Sequence, residues 1–201
     1  AFLSTAVNGM LWQDTDSIKM LWRKDGAVWV PAVWRWSGTT AQMNAFTQAP
    51  NGFEWFNTTD NSEYVRRSGN WYKAFITSSA TFVGGNTAGP VMFVTTGISG
   101  ARPGATAFVS WSPYGVFSTV SSAVIVSSVH YTTNGTTPTA ASPQLAGNRT
   151  YVPGSGSVVS TYGGTVTTTI AASGQLNAGL YLPASMLYGA DGGMITIWVN
   201  N

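Results

Sequence analysis

The chain has 201 residues, no cysteine, one histidine and only 16 charged residues, nine Lys or Arg against seven Asp or Glu. That is 8% charged against a usual ~25%, with no Lys/Arg run longer than two, so a nucleic-acid footprint is excluded. The missing cysteines exclude disulfide frameworks, thiolate metal sites and cysteine nucleophiles, and no apolar run reaches the ~20 residues of a membrane helix.

A chain of this length can bury a sizeable core. No signal peptide is legible, and the start at Ala1 leaves room for this to be a piece of a longer protein. Residues 1–6 have no clear period. Residues 7–36 then read as a β-meander built on three apolar runs: Met10-Leu11-Trp12, Met20-Leu21-Trp22 and Val28-Trp29-Val30. Asp14-Thr15-Asp16 and Lys24-Asp25-Gly26 separate them. Asp-Gly between apolar runs is a hairpin signal because Gly tolerates the positive φ of a tight turn. Val33-Trp34-Arg35-Trp36 alternates with period two and is expected to close this meander. Residues 37–49 read as a polar link with one helical turn.

The pattern recurs. Asn8-Gly9 and Trp12 match Asn51-Gly52 and Trp55; Leu21 to Gly26 matches Tyr64 to Gly69; Trp29 matches Trp71 after a one-residue deletion. Most pairs are 43 residues apart, so residues 51–75 are expected to form a second meander. Seven of the nine tryptophans lie in residues 1–75. Trp12, Trp22, Trp29, Trp55 and Trp71 occupy matched repeat positions and are assigned to the core. Trp34 and Trp36 are divided evenly between packing and sugar stacking.

After Phe75 the composition changes, and a boundary is placed there. Residues 76–201 carry three of the charged residues, Arg102, Arg149 and Asp191. Nine strands are predicted: 76–83, 90–96, 106–111, 116–120, 123–131, 157–162, 165–171, 179–182 and 193–199. Gly84-Gly85, 97–104, Ser112-Pro113, 134–138, 154–156, Gly163-Gly164 and Asp191-Gly192 are read as turns, and 182–187 could hold one helical turn. This pattern suggests an antiparallel sandwich or jelly roll. TVTTTI from Thr165 suits a strand with one face in water. Ala123 to Val126, apolar on both faces, suits a central strand or a subunit contact.

The chemistry is sparse. His130 alone cannot make a multi-histidine metal site, and no GxSxG elbow accompanies it. A glycosidase needs two carboxylates, and residues 76–201 hold one acid, Asp191. Asp14, Asp16, Asp25, Asp60 and Glu63 fall in or beside turns, where Asp serves backbone bonding. Asp14-x-Asp16 could take Ca²⁺, but lacks the further spaced oxygens of a cation loop. Glu54 lies on a strand with no evident partner. Gly97-Ile98-Ser99-Gly100 precedes no helix and makes no phosphate site. Arg102 and Asp191 are lone loop charges, read as solubilising groups or partner contacts.

The run Asn8-Gly9-Met10-Leu11-Trp12, Asp14-Thr15-Asp16, Leu21 to Gly26 and Trp29-Val30-Pro31 resembles a collar phrase of phage tail-fibre and receptor-binding proteins. It covers residues 8–31 well and 51–72 loosely, where Asn57-Thr58-Thr59 stands in place of Asp-Thr. The resemblance implies an all-β chain with N-terminal β-meander repeats (1–75) and an antiparallel, jelly-roll-like β-sandwich head (76–201). It also implies a homotrimer on a virion, partnered by other tail proteins and binding a host cell-surface glycan. The residues themselves lead to the expectation of no enzyme activity, cofactor, metal, nucleic acid or membrane insertion. Candidate receptor contacts are Trp111 and Tyr114 in SWSPYG, Tyr188 with Asp191, and Arg102. The alternatives are a structural virion protein, a polysaccharide depolymerase and a secreted trimeric tumour-necrosis-factor-like module.

Overall fold

The computed structural model describes residues 6–13, 20–88, 91–114, 116–118, 123–152, 158–159, 163–182 and 188–201. Strands make up 59% of the chain, and the described residues hold one short helix, so the fold is all-β. Two compact units divide after Ala74. Asp14 and Asp16 lie outside the described residues, as do residues 183–187 of the predicted helical turn at 182–187.

The first unit contains two meanders. Strands β1 (Leu11–Gln13), β2 (Leu21–Asp25) and β3 (Val28–Pro31) form one antiparallel sheet. A second sheet has the order β4 (Arg35–Gly38), β5 (Glu54–Asn57), β6 (Ser62–Arg67), β7 (Asn70–Lys73). Its β5–β6–β7 meander repeats the first sheet's pairing. Trp12 pairs with Trp22 as Trp55 does with Tyr64, and Lys24 pairs with Trp29 as Arg66 does with Trp71. The structural offset is therefore 43 residues across the first strand and 42 from the second onward. Gly26 thus matches Ser68, not Gly69, and no deletion before Trp71 is needed. The β6–β7 turn places Ser68 and Gly69 at φ 46° and 79°, the mirror-image turn that suits right-twisted strands.

The repeat also conserves contacts. The Trp12 and Trp29 rings meet edge to face at 6.1 Å and 62°, and Trp55 and Trp71 at 6.1 Å and 64°. A cation lies over the third-strand indole in each copy: Lys24 Nζ is 5.7 Å from the Trp29 ring and Arg66 Cζ is 5.3 Å from Trp71. The turn contact shifts by one residue: Asn8 Oδ1 accepts the Gly26 N–H at 3.1 Å, whereas Asn51 Oδ1 accepts the N–H of Gly69, one residue past the structural match of Gly26, at 3.5 Å.

One expectation is corrected. The stretch ending in Trp36 does not close the first meander. β3 ends at Pro31, opposite Trp22, and the Ala32 N–H makes the last bond to β2, donating to the Leu21 carbonyl at 2.8 Å. The chain then crosses to the other sheet, where β4 runs parallel to β5. Helix α1 (Thr40–Ala45) supplies the crossover a parallel pair requires. Thr39 and Gln42 cap it reciprocally, the Gln42 N–H donating to Thr39 Oγ1 at 3.3 Å and the Thr39 N–H to Gln42 Oε1 at 2.9 Å. Thr39→Ala is expected to lower the stability of this unit by about 1 kcal/mol, read as a shift in its denaturant midpoint.

Phe46, directly after α1, is the wedge of this core. It touches the rings of Trp22, Phe53 and Trp55 and is 2% exposed. Met20, Met43 and Ala49 complete the buried set, with Trp12, Trp29, Trp36, Tyr64 and Trp71 packed around it.

At the margin of this core, Tyr64 Oη donates to Asp60 Oδ2 at 2.7 Å, and Lys73 Nζ lies 3.3 Å from the same oxygen. The Tyr64 bond, against an opposing desolvation and with help from the Lys73 ammonium, holds the Asp60 carboxyl below its ordinary value. Burial, then the Asp60 bond, pushes Tyr64 up to about 12. The folded state therefore favours the protonated phenol. Its stabilising contribution is full below pH ~10, where an unfolded tyrosine titrates, and is lost as pH rises through about 12. The Asp60 contribution is instead lost as pH falls below ~3.9, the ordinary Asp value. Tyr64→Phe is expected to remove the alkaline loss, measured by denaturant midpoints across pH 9–12, a window bounded by the value of about 12.

The second unit is a two-sheet sandwich. Its strands are β8 (Phe75–Ala88), β9 (Val91–Ile98), β10 (Thr106–Tyr114), β11 (Val116–Ser118), β12 (Ala123–Thr132), β13 (Gln144–Val152), β14 (Val158–Val159), β15 (Gly164–Thr169), β16 (Leu176–Leu182) and β17 (Tyr188–Asn200). One sheet runs β8-β17-β10-β15, with β11 paired to β17 and β14 to β11; the other runs β9-β16-β12-β13. Counting the eight long strands in chain order, these are first-eighth-third-sixth and second-seventh-fourth-fifth, the interlocked order of a jelly roll. Val109, Ile195 and Ile197 from one sheet meet Val129, Ala178 and Leu180 from the other in a single core.

Four predicted turns and one gap are corrected. Gly84-Gly85 lies inside β8 and Asp191-Gly192 inside β17, which pair with a register shift between Ala190 and Gly192. Glycines that signal a turn also suit the close backbone approach and bulge of two long strands. Ser112-Pro113 lies inside β10, and Gly164 opens β15. Strand β13 was not predicted; as the edge of its sheet it carries little of the apolar alternation that marks a covered strand.

Candidate functional site

The expected contacts do not converge. Trp111 lies on β10 and points inward, only 4% exposed. A Cβ at Gly164, across the ladder, would stand 2.7 Å from the Trp111 ring, so glycine makes room for the indole. Trp111 is thus a core residue and not a loop contact. Its inward alternation with Ala107 and Val109 is masked in the sequence by Phe108. Tyr114 ends β10 opposite Gly192; Tyr188 opens β17, and Asp191 lies within it. Those three belong to one end of the sheet, and their side chains lie outside the described residues. Arg102 precedes the other end of β10, roughly 25 Å away at the rise of an antiparallel strand. It is half-buried, and its backbone N–H donates to Asn201 Oδ1 at 2.7 Å.

His130 sits in a catalytic-looking contact with no access. Its Nδ1 lies 2.7 Å from the Ser142 carbonyl oxygen, which can only accept, so Nδ1 carries the proton. Nε2 then accepts from Ser128 Oγ at 3.0 Å. That is nucleophile-to-base spacing. Both residues are nevertheless buried, 4% and 8% exposed, and the imidazole packs edge-on to Tyr181. No substrate reaches the serine, and the pair serves the core.

The first unit holds the cleft with accessible chemistry. Trp34 is 65% exposed while Trp22 and Trp55 are 9% and 1%. It stands between β3 and β4, and its carbonyl accepts the Glu54 N–H at 2.8 Å, which pins its backbone to β5. Beside it is a cleft of about 250 Å³. Strand β2 contributes Arg23 and Asp25, β3 contributes Trp29, Val30 and Pro31, and Gln48 and Pro50 come from the segment after α1. Clefts for drug-sized ligands run to ~300–1,000 Å³, so this one suits a single ring. Arg23 and Asp25 approach to 4.0 Å while 55% and 61% exposed. An ion pair that long and wet contributes little to stability, and both groups remain open to a ligand. Lys24, the intervening residue, faces the core and donates to the Ala27 carbonyl at 3.0 Å.

Among the described residues lining the cleft, Asp25 is the only carboxylate, so these residues offer no acid/base pair for glycoside cleavage. What they offer is an apolar wall, a donor and an acceptor. Of these residues the sequence flagged only Trp34 for recognition. Asp25 read as turn chemistry and Gln48 as linker, because the β2 strand and the segment after α1 meet only through the fold. A second, shallower depression of about 280 Å³ involves Arg35, Trp36, Ser37 and Phe56, with Arg35 paired to Glu63.

Among the described residues no group of three potential metal ligands occurs, and no helix is long and apolar enough to cross a membrane. No protein-family model and no curated protein sequence matches the chain.

Proposed function

We propose that this chain is a host-attachment protein of a phage tail tip, a homotrimer that holds a cell-surface saccharide through several weak sites at once. The observation that carries the reading is Trp34: a large indole kept out of the core, on pinned backbone, beside a cleft with one donor and one acceptor. Weak sites joined on one particle gain avidity without new contacts. The chain acts as a binder and carries no catalytic role.

The outer face of the β8-β17-β10-β15 sheet supports self-association. Ladder pairing sets Thr167, Phe108, Trp198 and Thr77 in one row, and Thr165, Ser110, Thr196 and Ser79 in the next. Phe108 and Trp198 stack at 5.5 Å, and Phe75 and Met194 on the same face are 57% and 42% exposed. An uncharged face with apolar residues amid hydroxyls is suited to burial against copies of itself.

Two measurements test the proposal. Light scattering is expected to give about 63 kDa, three times 21.2 kDa, and the trimer is expected to bind envelope polysaccharide on a bacterial glycan array. A stable monomer overturns the assembly; an intact trimer that binds no glycan and no cell points to a purely structural virion role.

A further inference from the structure

We propose that the cleft beside Trp34 selects a neutral pyranoside, with the sugar's C–H face on the Trp34 indole and two neighbouring hydroxyls read by Arg23 and Asp25. This rests on the attachment reading and narrows it from saccharides in general to an uncharged sugar at a named place in the first unit.

The indole supplies the first half of the recognition. A pyranose ring has an apolar face of C–H bonds and a polar rim. An exposed Trp offers a broad, rigid surface for such a face at low entropic cost. Pro31 and Pro50 in the same lining are rigid and apolar, and the volume of about 250 Å³ admits one ring, not a chain.

The ion pair supplies the second half. A guanidinium can only donate and a carboxylate can only accept, whereas a hydroxyl does both. Two adjacent hydroxyls can therefore satisfy Arg23 and Asp25 together, each bonded to the group that complements it. Gln48, which offers both a carbonyl and an amide, can serve a further hydroxyl or an N-acetyl group.

Charge balance decides the sugar class. A uronic or sialic acid would gain from Arg23 but meet Asp25 at the same spot, since the two groups are 4.0 Å apart. An amino sugar would gain from Asp25 and meet Arg23. A neutral sugar meets neither repulsion, and specificity of this kind comes from penalties against the wrong ligand as much as from contacts to the right one. Among the described residues the lining charges are the exposed Arg23 and Asp25, so a single site is expected to bind at millimolar strength.

The test uses the full chain. Intrinsic tryptophan fluorescence and calorimetry are recorded with the methyl glycosides of glucose, galactose, mannose and N-acetylglucosamine, and with glucuronate and glucosamine at matched ionic strength. One or more neutral glycosides are expected to bind, and the charged sugars to bind at least about tenfold more weakly. Trp34→Ala is expected to weaken binding by more than about tenfold, and Asp25→Asn or Arg23→Gln by about fivefold, with thermal midpoints unchanged in all three variants. Tighter binding of glucuronate or glucosamine overturns the assignment, as does neutral-sugar binding that survives Trp34→Ala, or no sugar binding at all. Adsorption to bacterial cells separates the two levels. If wild type and Trp34→Ala adsorb equally, the cleft assignment fails and the attachment reading stands. If glycosides bind in a Trp34-dependent way but no cell or envelope polysaccharide is bound, the attachment reading fails and the cleft stands.

Discussion

Trp55→Ala is expected to cost the first unit about 3–5 kcal/mol, the range for deleting a buried large aromatic. Trp55 is 1% exposed, its Nε1–H donates to the Gly38 carbonyl at 3.1 Å, and its ring touches Phe46 and Trp71. Truncation removes an edge-to-face pair and empties a site that β4 and α1 close over, leaving the Gly38 carbonyl with the Thr58 N–H, at 2.9 Å, as its donor. A domain is stable by only ~5–15 kcal/mol, so the loss is a large share of the whole. Denaturant unfolding followed by fluorescence reads it directly, since seven of the nine tryptophans lie in residues 1–75. Trp12 is the internal control. It occupies the same position in the first meander and meets Trp29 as Trp55 meets Trp71, but it is only half-buried. Trp12→Ala should therefore cost clearly less. Equal losses would mean that the repeat geometry, and not the cover of β4 and α1, carries the stability.

Thr167→Arg is expected to turn the proposed trimer of about 63 kDa into monomers of 21.2 kDa. Thr167 is exposed on β15, in the row that continues through Phe108 and Trp198. A surface substitution at such a place normally changes folding by less than ~0.5 kcal/mol. Buried against other copies, however, it sets unpaired guanidinium groups into an uncharged contact, and leaving a charge desolvated and unpaired costs several kcal/mol. Light scattering and sedimentation read the mass, and a thermal midpoint confirms that the protomer still folds. A trimer that persists places the contact on some other face.

Local rules reach far in the first unit. The 43-residue recurrence, the hairpin at Gly26 and the core role of the matched tryptophans follow from turn chemistry and from aromatic area that has to be buried somewhere. The same rules identify an all-β second unit, and the Thr165–Thr169 alternation as a strand with one face outward. They falter where one residue type serves two structures. Gly84-Gly85 and Asp191-Gly192 signal turns, yet in a long strand pair they mark an irregularity of the ladder, between Ala190 and Gly192, and no reversal of the chain. Trp111 closes a predicted strand, directly before Ser112-Pro113, which reads as a turn, but β10 runs on through both and packs Trp111 inward opposite Gly164.

Strand partners are likewise beyond local pattern. That β4 leaves the first meander and runs parallel to β5 depends on α1 carrying the chain back, a long-range choice that no window of the sequence contains. The cleft follows from that choice. Composition and period determined that these residues make sheets, that tryptophan fills the small unit and that charge is scarce. Only the tertiary crossing from β3 to β4 decided which tryptophan stays outside, and brought Gln48 and Pro50 across from the end of α1 to Arg23 and Asp25. A side chain's neighbours across a sheet are set by register and topology, and those are properties of the whole fold.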